Sequence, residues 1–159
     1  MNTENQYSQA VKNILTIEQL KQNTQLLRET YERLYKKSDN IRDSLEEVLP
    51  YFLVENIFDI TTKNSIPLTD LKQIQKIITD MKIFLENLPV AEIVISFTPR
   101  YKDVTKLSAW WEEYTGEHTI LAIQIDESVV AGARISYAGF YKDYSLANWL
   151  NQNAARILE

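Results

Sequence analysis

Around Pro89 the spacing of the apolar residues changes, and that change divides the chain. Before it, Leu71, Ile74, Ile78, Met81, Leu85 and Leu88 recur at intervals of three and four, the stripe of an amphipathic helix. Ile77 and Phe84 widen that stripe, so the helix is expected to pack on two sides. After Pro89, Ile93, Ile95 and Phe97 alternate within 92–97, and Leu121, Ile123 and Ile125 alternate within 120–125. Each period gathers side chains on one face only in its own secondary structure, so the two halves cannot share one. The 159 residues therefore read as an α+β chain. A helical bundle over 1–88 precedes a small strand–helix–strand–hairpin–helix domain over 89–159.

In the first half, Tyr7, Val11, Ile14 and Leu15 fit a short opening helix. From Ile17 a seven-residue repeat places Leu20, Leu27, Leu34, Ile41 and Val48 at every fourth position, with Ile17, Thr24, Tyr31, Ser38 and Leu45 at the first. As one helix from Ile17 to Leu49 it would be about 50 Å long and could form a coiled-coil seam. The cluster Ser38-Asp39-Asn40 offers helix caps, and in so small a domain two bundled helices split there are preferred. Pro50 ends or kinks the helix before it. Tyr51 to Ile60 reads as a buried short helix and Thr61 to Ser65 as a loop. Pro67 is placed in the first turn of the next helix.

In the second half, Thr98-Pro99 reads as a helix start, with Val104, Leu107, Trp111 and Tyr114 on one face and Gly116 as the stop. Trp110 and Trp111 point about 100° apart on a helix. One can be core and the other exposed, and Trp110 is taken as the exposed one and a candidate partner contact. Asp126-Glu127-Ser128 breaks the strand that ends at Ile125. A second strand, 133–137, turns Ala133, Ile135 and Tyr137 one way and Arg134 and Ser136 the other. Ala138-Gly139 makes a tight turn, Gly139 supplying a positive φ, and 140–144 returns as a third strand. Ser145 sits at the N-cap of a last helix with Leu146, Trp149, Leu150 and Ile157 roughly on one side. Gly132 is there for backbone geometry, since a lone glycine makes no phosphate loop.

A net charge of −5 argues against a general nucleic-acid binder. There is no cysteine, so no disulfide or thiolate chemistry. No apolar run approaches a membrane span and the start lacks a signal-peptide pattern, so a soluble chain is expected that reaches a membrane only through a partner. His118 lies in a turn and reads as an exposed, solvated side chain; one histidine makes no zinc site. Glu46-Glu47 and Glu112-Glu113 read as solvated helix surface. Asp126 and Asp143 are the only acids in special positions, where turn and cap roles outweigh a catalytic pair. Ser128 and Ser145 lack the surroundings of a nucleophile. No catalytic, cofactor-binding or metal-ligating residue is assigned, and an enzyme is the least favoured class.

The run Asp126-x-x-Val129-x-Ala131-Gly132-Ala133-x-Ile135, followed by Gly139 in the turn and by Asp143-Tyr144-Ser145-Leu146, resembles the signature of the delta subunit of F-type ATP synthases. In mitochondria that family is the oligomycin-sensitivity-conferring protein. Glu127 stands where the family has proline, Ala131 where it has its first glycine, and Tyr144 where it has the glycine before serine. The motif-level match covers 125–146, the broader likeness about 90–150. The resemblance implies a non-catalytic subunit of the peripheral stalk, bound at the cytoplasmic face of the cell membrane. It would join the b subunits to the alpha-subunit N-termini so that the head resists rotor torque. It also implies no cofactor, no nucleic acid, no membrane insertion and a monomer when isolated. No residue of the helical half matches the family. The alternative is a homodimeric coiled-coil adaptor or regulatory protein, paired through 17–49, with the α+β domain as its partner-binding module.

Overall fold

The computed structural model describes residues 6–36 and 40–157, with side chains of the last helix described to residue 153. Its architecture is α+β: seven helices and one mixed four-stranded sheet among the described residues. The chain divides into two compact units. The helical unit comprises Met1–Ile14 and Glu18–Leu88, and the sheet unit Leu15–Ile17 and Pro89–Glu159.

The helical unit is built from α1 (Ser8–Val11), α2 (Ile17–Lys36), α3 (Ile41–Val48), α4 (Tyr51–Lys63) and α5 (Leu71–Glu86). The seven-residue repeat is carried by two helices, α2 and α3. Asn40 caps α3, its side-chain oxygen accepting from the Arg42 and Asp43 amides at 3.1 and 3.4 Å. Ser38 and Asp39 of the proposed cap cluster lie outside the described residues. Leu20, Leu27, Leu34 and Ile41 of the seam are buried, together with Leu45. α3 stops because Pro50 forces Leu49 into extended backbone (φ −90°, ψ 144°). α4 then buries Leu53, Val54, Ile57 and Ile60, while Tyr51 faces solvent.

Two expectations here need correction. The loop placed at Thr61 to Ser65 is helical as far as Lys63. Thr61 is buried and its hydroxyl donates to the Phe58 carbonyl at 2.8 Å, so it serves the helix rather than ending it. Pro67 does not open α5. It heads a turn closed by the Asp70 amide on the Pro67 carbonyl, and Asp70 caps the helix by accepting from the Gln73 amide at 3.1 Å. A carboxylate at the N-cap satisfies first-turn amides, which proline cannot do. α5 buries Ile74, Ile77, Ile78, Met81 and Leu85, and Phe84 packs on the Tyr7 ring at 5.5 Å between centroids. Burial, reinforced by Asp80, pushes the Tyr7 phenol up.

The sheet unit holds β1 (Val90–Ile95), α6 (Tyr101–Thr115), β2 (Ile120–Ile125), β3 (Ala133–Tyr137), β4 (Phe140–Asp143) and α7 (Leu146–Ile157). Strand order is β2-β1-β3-β4, with β1 parallel to β2 and the others antiparallel. α6 is the crossover between the parallel strands. Its Val104 and Trp111 pack on Ala91, Ile93, Ile95 and Leu121, with Ile135 and Tyr137 closing the side of the cluster. Leu15 is buried here too, its carbonyl accepting from the Leu121 amide at 2.9 Å. Leu15 was expected to continue the first helix. Instead its segment lies alongside β2, with Thr16 opposite Leu121 in a parallel bridge.

Four further expectations are revised. β1 ends at Ile95, and Phe97 is exposed. α6 starts two residues later than Thr98-Pro99 suggests, with Arg100 at the N-cap and its amide donating to the Asp103 carboxylate at 3.3 Å. Tyr114 lies outside the buried face of α6, whose interior positions are Val104, Ser108 and Trp111. Ile125, placed with Leu121, is about half exposed at the end of β2, the edge strand of the sheet.

Candidate interaction site around residues 126–146

The family-like residues converge where β2 ends and α7 begins. The Asp126 amide donates to the Ile95 carbonyl at 2.8 Å, continuing the ladder one residue past β2. Its side chain then accepts from the Ser128 amide at 2.9 Å, and the Val129 amide returns to the Asp126 carbonyl at 3.0 Å. This aspartate-capped turn tucks Val129 into the interior, where it is fully buried. Asp143 repeats the device at the end of β4, accepting from the Ser145 amide at 2.8 Å. The Ser145 hydroxyl accepts from the Asn148 amide at 3.3 Å, so Ser145 is the N-cap of α7. Asn148 adds a side-chain bond to the Asp143 carbonyl at 2.7 Å.

The two turns are bound to each other. The Tyr144 amide donates to the Ala133 carbonyl at 2.8 Å and the Leu146 amide to the Ala131 carbonyl at 2.9 Å. Gly132 lies between those contacts with φ +90°. A Cβ at Gly132 would collide with the Tyr144 carbonyl oxygen, so both its φ and the backbone approach require glycine.

Arg134 completes the arrangement. Its guanidinium bonds Asp126 at 3.3 Å and stands 3.9 Å from Asp143 on the other side. The Ser128 hydroxyl and amide, with Arg134, hold the Asp126 carboxyl below its usual range. The Ser145 hydroxyl and amide, with Arg134, do the same to Asp143. Both aspartates are thus ionised acceptors at neutral pH. As ionised acceptors the two carboxylates hold the backbone amides of Ser128 and Ser145 and face the Arg134 guanidinium.

Of the singled-out residues, Asp126, Val129, Ala131, Gly132, Asp143 and Ser145 meet in this node. Ile135 faces the α6 side of the sheet. Gly139 (φ +81°) lies at the opposite end of the hairpin, where it and Ala138 (φ +48°) both take left-handed backbone in a two-residue turn. Trp110 is on α6, about half exposed and stacked on Tyr114 at 5.7 Å, while Trp111 is buried. Arg134 was not singled out, although a turn at 138–139 fixes it opposite Asp143 in the ladder. His118, expected to be solvated, is largely covered and stands 3.5 Å from Glu112. Among the described residues, no group of three His, Cys, Asp or Glu side chains is arranged to hold a metal.

A second feature adjoins the node. Leu146, Trp149 and Leu150 on α7 are exposed by roughly half, as is Tyr144 before them, and the nearby Val130 is more exposed still. Spacings of three and four put the three α7 residues on one helix face. No helix among the described residues is long and apolar enough to cross a membrane. Neither the known protein-family models nor the curated proteins searched include a match to this chain.

Proposed function

We propose that the chain is a delta-type subunit of an F-type ATP synthase. In this reading it is a non-catalytic tie between the b subunits of the peripheral stalk and the N-termini of the alpha subunits, at the cytoplasmic face of the membrane. The observation that carries the reading is the node itself. The residues that resemble the family signature are separated by up to nineteen positions, yet six of them build one backbone clamp. Gly132 is the position within it that admits no side chain. The clamp of two aspartates around one arginine fixes the start of α7 to β3 and β4, which suits a part that must keep its shape under load. The exposed Leu146, Trp149 and Leu150 offer apolar surface beside it, the kind a partner covers.

The adaptor alternative is weakened by the helical unit. A coiled-coil homodimer would need the seam of 17–49, but Leu20, Leu27, Leu34 and Ile41 are already buried. The deciding experiment presents the full chain to the soluble region of its own organism's b subunit and to an alpha N-terminal peptide, with light scattering on the same sample. A monomer that captures either in stoichiometric amount supports the stalk role. A stable homodimer that captures neither overturns it.

A further inference from the structure

One edge of the sheet is partly covered and the other is bare. Outside β2, the Leu15 carbonyl accepts from the Leu121 amide at 2.9 Å and Thr16 bridges to Leu121. Outside β4 no strand or bridge pairs among the described residues. The Tyr144 amide bonds the Ala133 carbonyl, so Lys142 and Phe140, at steps of two, also turn their N–H and C=O toward β3. Tyr141 and Asp143 turn theirs outward. The Asn148 side chain takes the Asp143 carbonyl at 2.7 Å. The Tyr141 N–H and C=O and the Asp143 N–H remain open to another strand. Phe140, Tyr141 and Lys142 are exposed, and neither a proline nor a bulge blunts the edge. Lys142 has no ion-pair partner among the described residues.

The side chains of β4 are complementary to themselves. Two copies joined edge to edge by a two-fold axis run antiparallel, and residues opposite one another must share an orientation. In the register centred on Tyr141, the two Tyr141 residues exchange their N–H and C=O groups. Phe140 then stands opposite Lys142 of the second copy, twice over, in the sites where side chains come closest. Each lysine gains an aromatic face, and the two tyrosines form a cross-strand aromatic pair. Asp143 faces the other copy's turn, where Ala138 and Gly139 bring no bulk against Asn148. Centring on Lys142 instead sets lysine against lysine, a repulsive pair. We propose that β4 pairs with β4 of a second copy, antiparallel and centred on Tyr141, joining two four-stranded sheets into one. So short an edge gives a weak dimer, with a dissociation constant on the order of 0.1–1 mM. The inference stands apart from the stalk role, because capture at micromolar concentration finds the chain monomeric.

The test is a concentration series of the full chain, from micromolar to millimolar, followed by sedimentation and amide NMR. The amides of Tyr141 and Asp143 are expected to shift with the dimer fraction and to exchange more slowly with water, while Leu121 stays still. Tyr141→Pro removes the outward N–H and spares the β3 ladder, so it folds and weakens pairing at least tenfold. Phe140→Lys sets lysine against lysine and weakens it about three- to tenfold. Adding Lys142→Phe to Phe140→Lys exchanges the two positions, restores the aromatic–lysine pair and returns the constant to within about twofold. Unchanged amide spectra across β1 and β2 show that each variant is folded. A chain that stays monomeric at millimolar concentration overturns the proposal, as does a dimer indifferent to Tyr141→Pro or to Phe140→Lys. Shifts confined to Trp149 and Leu150 place the contact on α7 and overturn it too. So does a double variant that pairs as poorly as Phe140→Lys alone.

Discussion

The two units solve the burial problem differently. In the helical unit α2, α4 and α5 each contribute a stripe to the interior and α3 adds Ile41 and Leu45, and the exposed large apolar residues are few: Tyr31 with Tyr35 one turn apart on α2, and Tyr51, Leu68 and Ile83 singly. The sheet unit has a thinner interior, centred on β1 and α6. It leaves out far more: Trp110 with Tyr114 on one face of α6, Leu146 with Trp149 and Leu150 on one face of α7, and Phe140 and Tyr141 on opposite faces of β4. Scattered apolar residues are ordinary on a surface, whereas grouped ones mark surface that something else covers. Packing holds the first unit. In the second, polar clamps do part of that work where packing is thin, as at the Asp126–Arg134–Asp143 node.

That contrast is broken first by truncating a residue deep in the helical unit. Leu53 is fully buried. Leu53→Ala should cost about 2–5 kcal/mol in urea unfolding followed by circular dichroism, with amide exchange quickening across α2 to α5. If exchange quickens mainly in the sheet unit, the two do not carry their stability separately.

The matching change in the sheet unit is Gly132→Ala. It adds one methyl group at φ +90° against the Tyr144 carbonyl. The expected loss is about 2–3 kcal/mol, read as faster exchange at Tyr144 and Leu146, whose amides bond across the approach. A loss below about 0.5 kcal/mol would mean that the clamp is loose and that the signature-like glycine has no structural duty.

Acid separates the units by a smaller margin. Asp126, Asp143 and Asp103 in the sheet unit, and Asp70 in the helical one, all have carboxyls held below their usual range. A carboxyl with a lowered folded pKa stabilises the fold above its unfolded value, near 4, and stops doing so as pH falls through the folded value. With three such groups against one, the sheet unit should lose stability first as the pH falls below about 4. Unit-resolved amide exchange at stepped pH would show it. If α5 opens before the node does, the polar clamps are not what holds the sheet unit.

Where a pattern was local, it could be read in the sequence. The alternation of Ile93 and Ile95, the two-residue turn at 138–139 and the cap at Ser145 each rest on a few neighbouring residues, and each lies where the spacing places it. What could not be read depended on distant chain. Leu15 looks like the end of a helix until β2 supplies an edge for its carbonyl. Phe97 continues an alternation that the sheet does not continue, because no partner strand extends beyond Asp126. Arg134 lay midway: as one charge in a strand it says little, but the hairpin register places it against Asp143, and only the folded turn adds Asp126. The exposure of the α7 face had no sequence signal at all, since a stripe for the core and a stripe for a partner have the same period.

The smallest stability effect is therefore the most informative. Trp149→Ala and Leu150→Ala remove large side chains from α7, yet each is exposed by roughly half, and a surface truncation of this kind should change stability by no more than about 0.5 kcal/mol. If the stalk role proposed above holds and α7 carries the contact, capture of the b-subunit region should fall at least tenfold with Trp149→Ala, because a tryptophan at the centre of an apolar patch is a typical anchor. The same variant at Trp111, which is buried against Tyr137, should behave the other way, costing stability in the free chain. If Trp149→Ala instead destabilises the free chain as Trp111→Ala does, α7 is packed by its apolar face in solution. The sheet unit would then resemble the helical one, and the exposed face would no longer point to a partner.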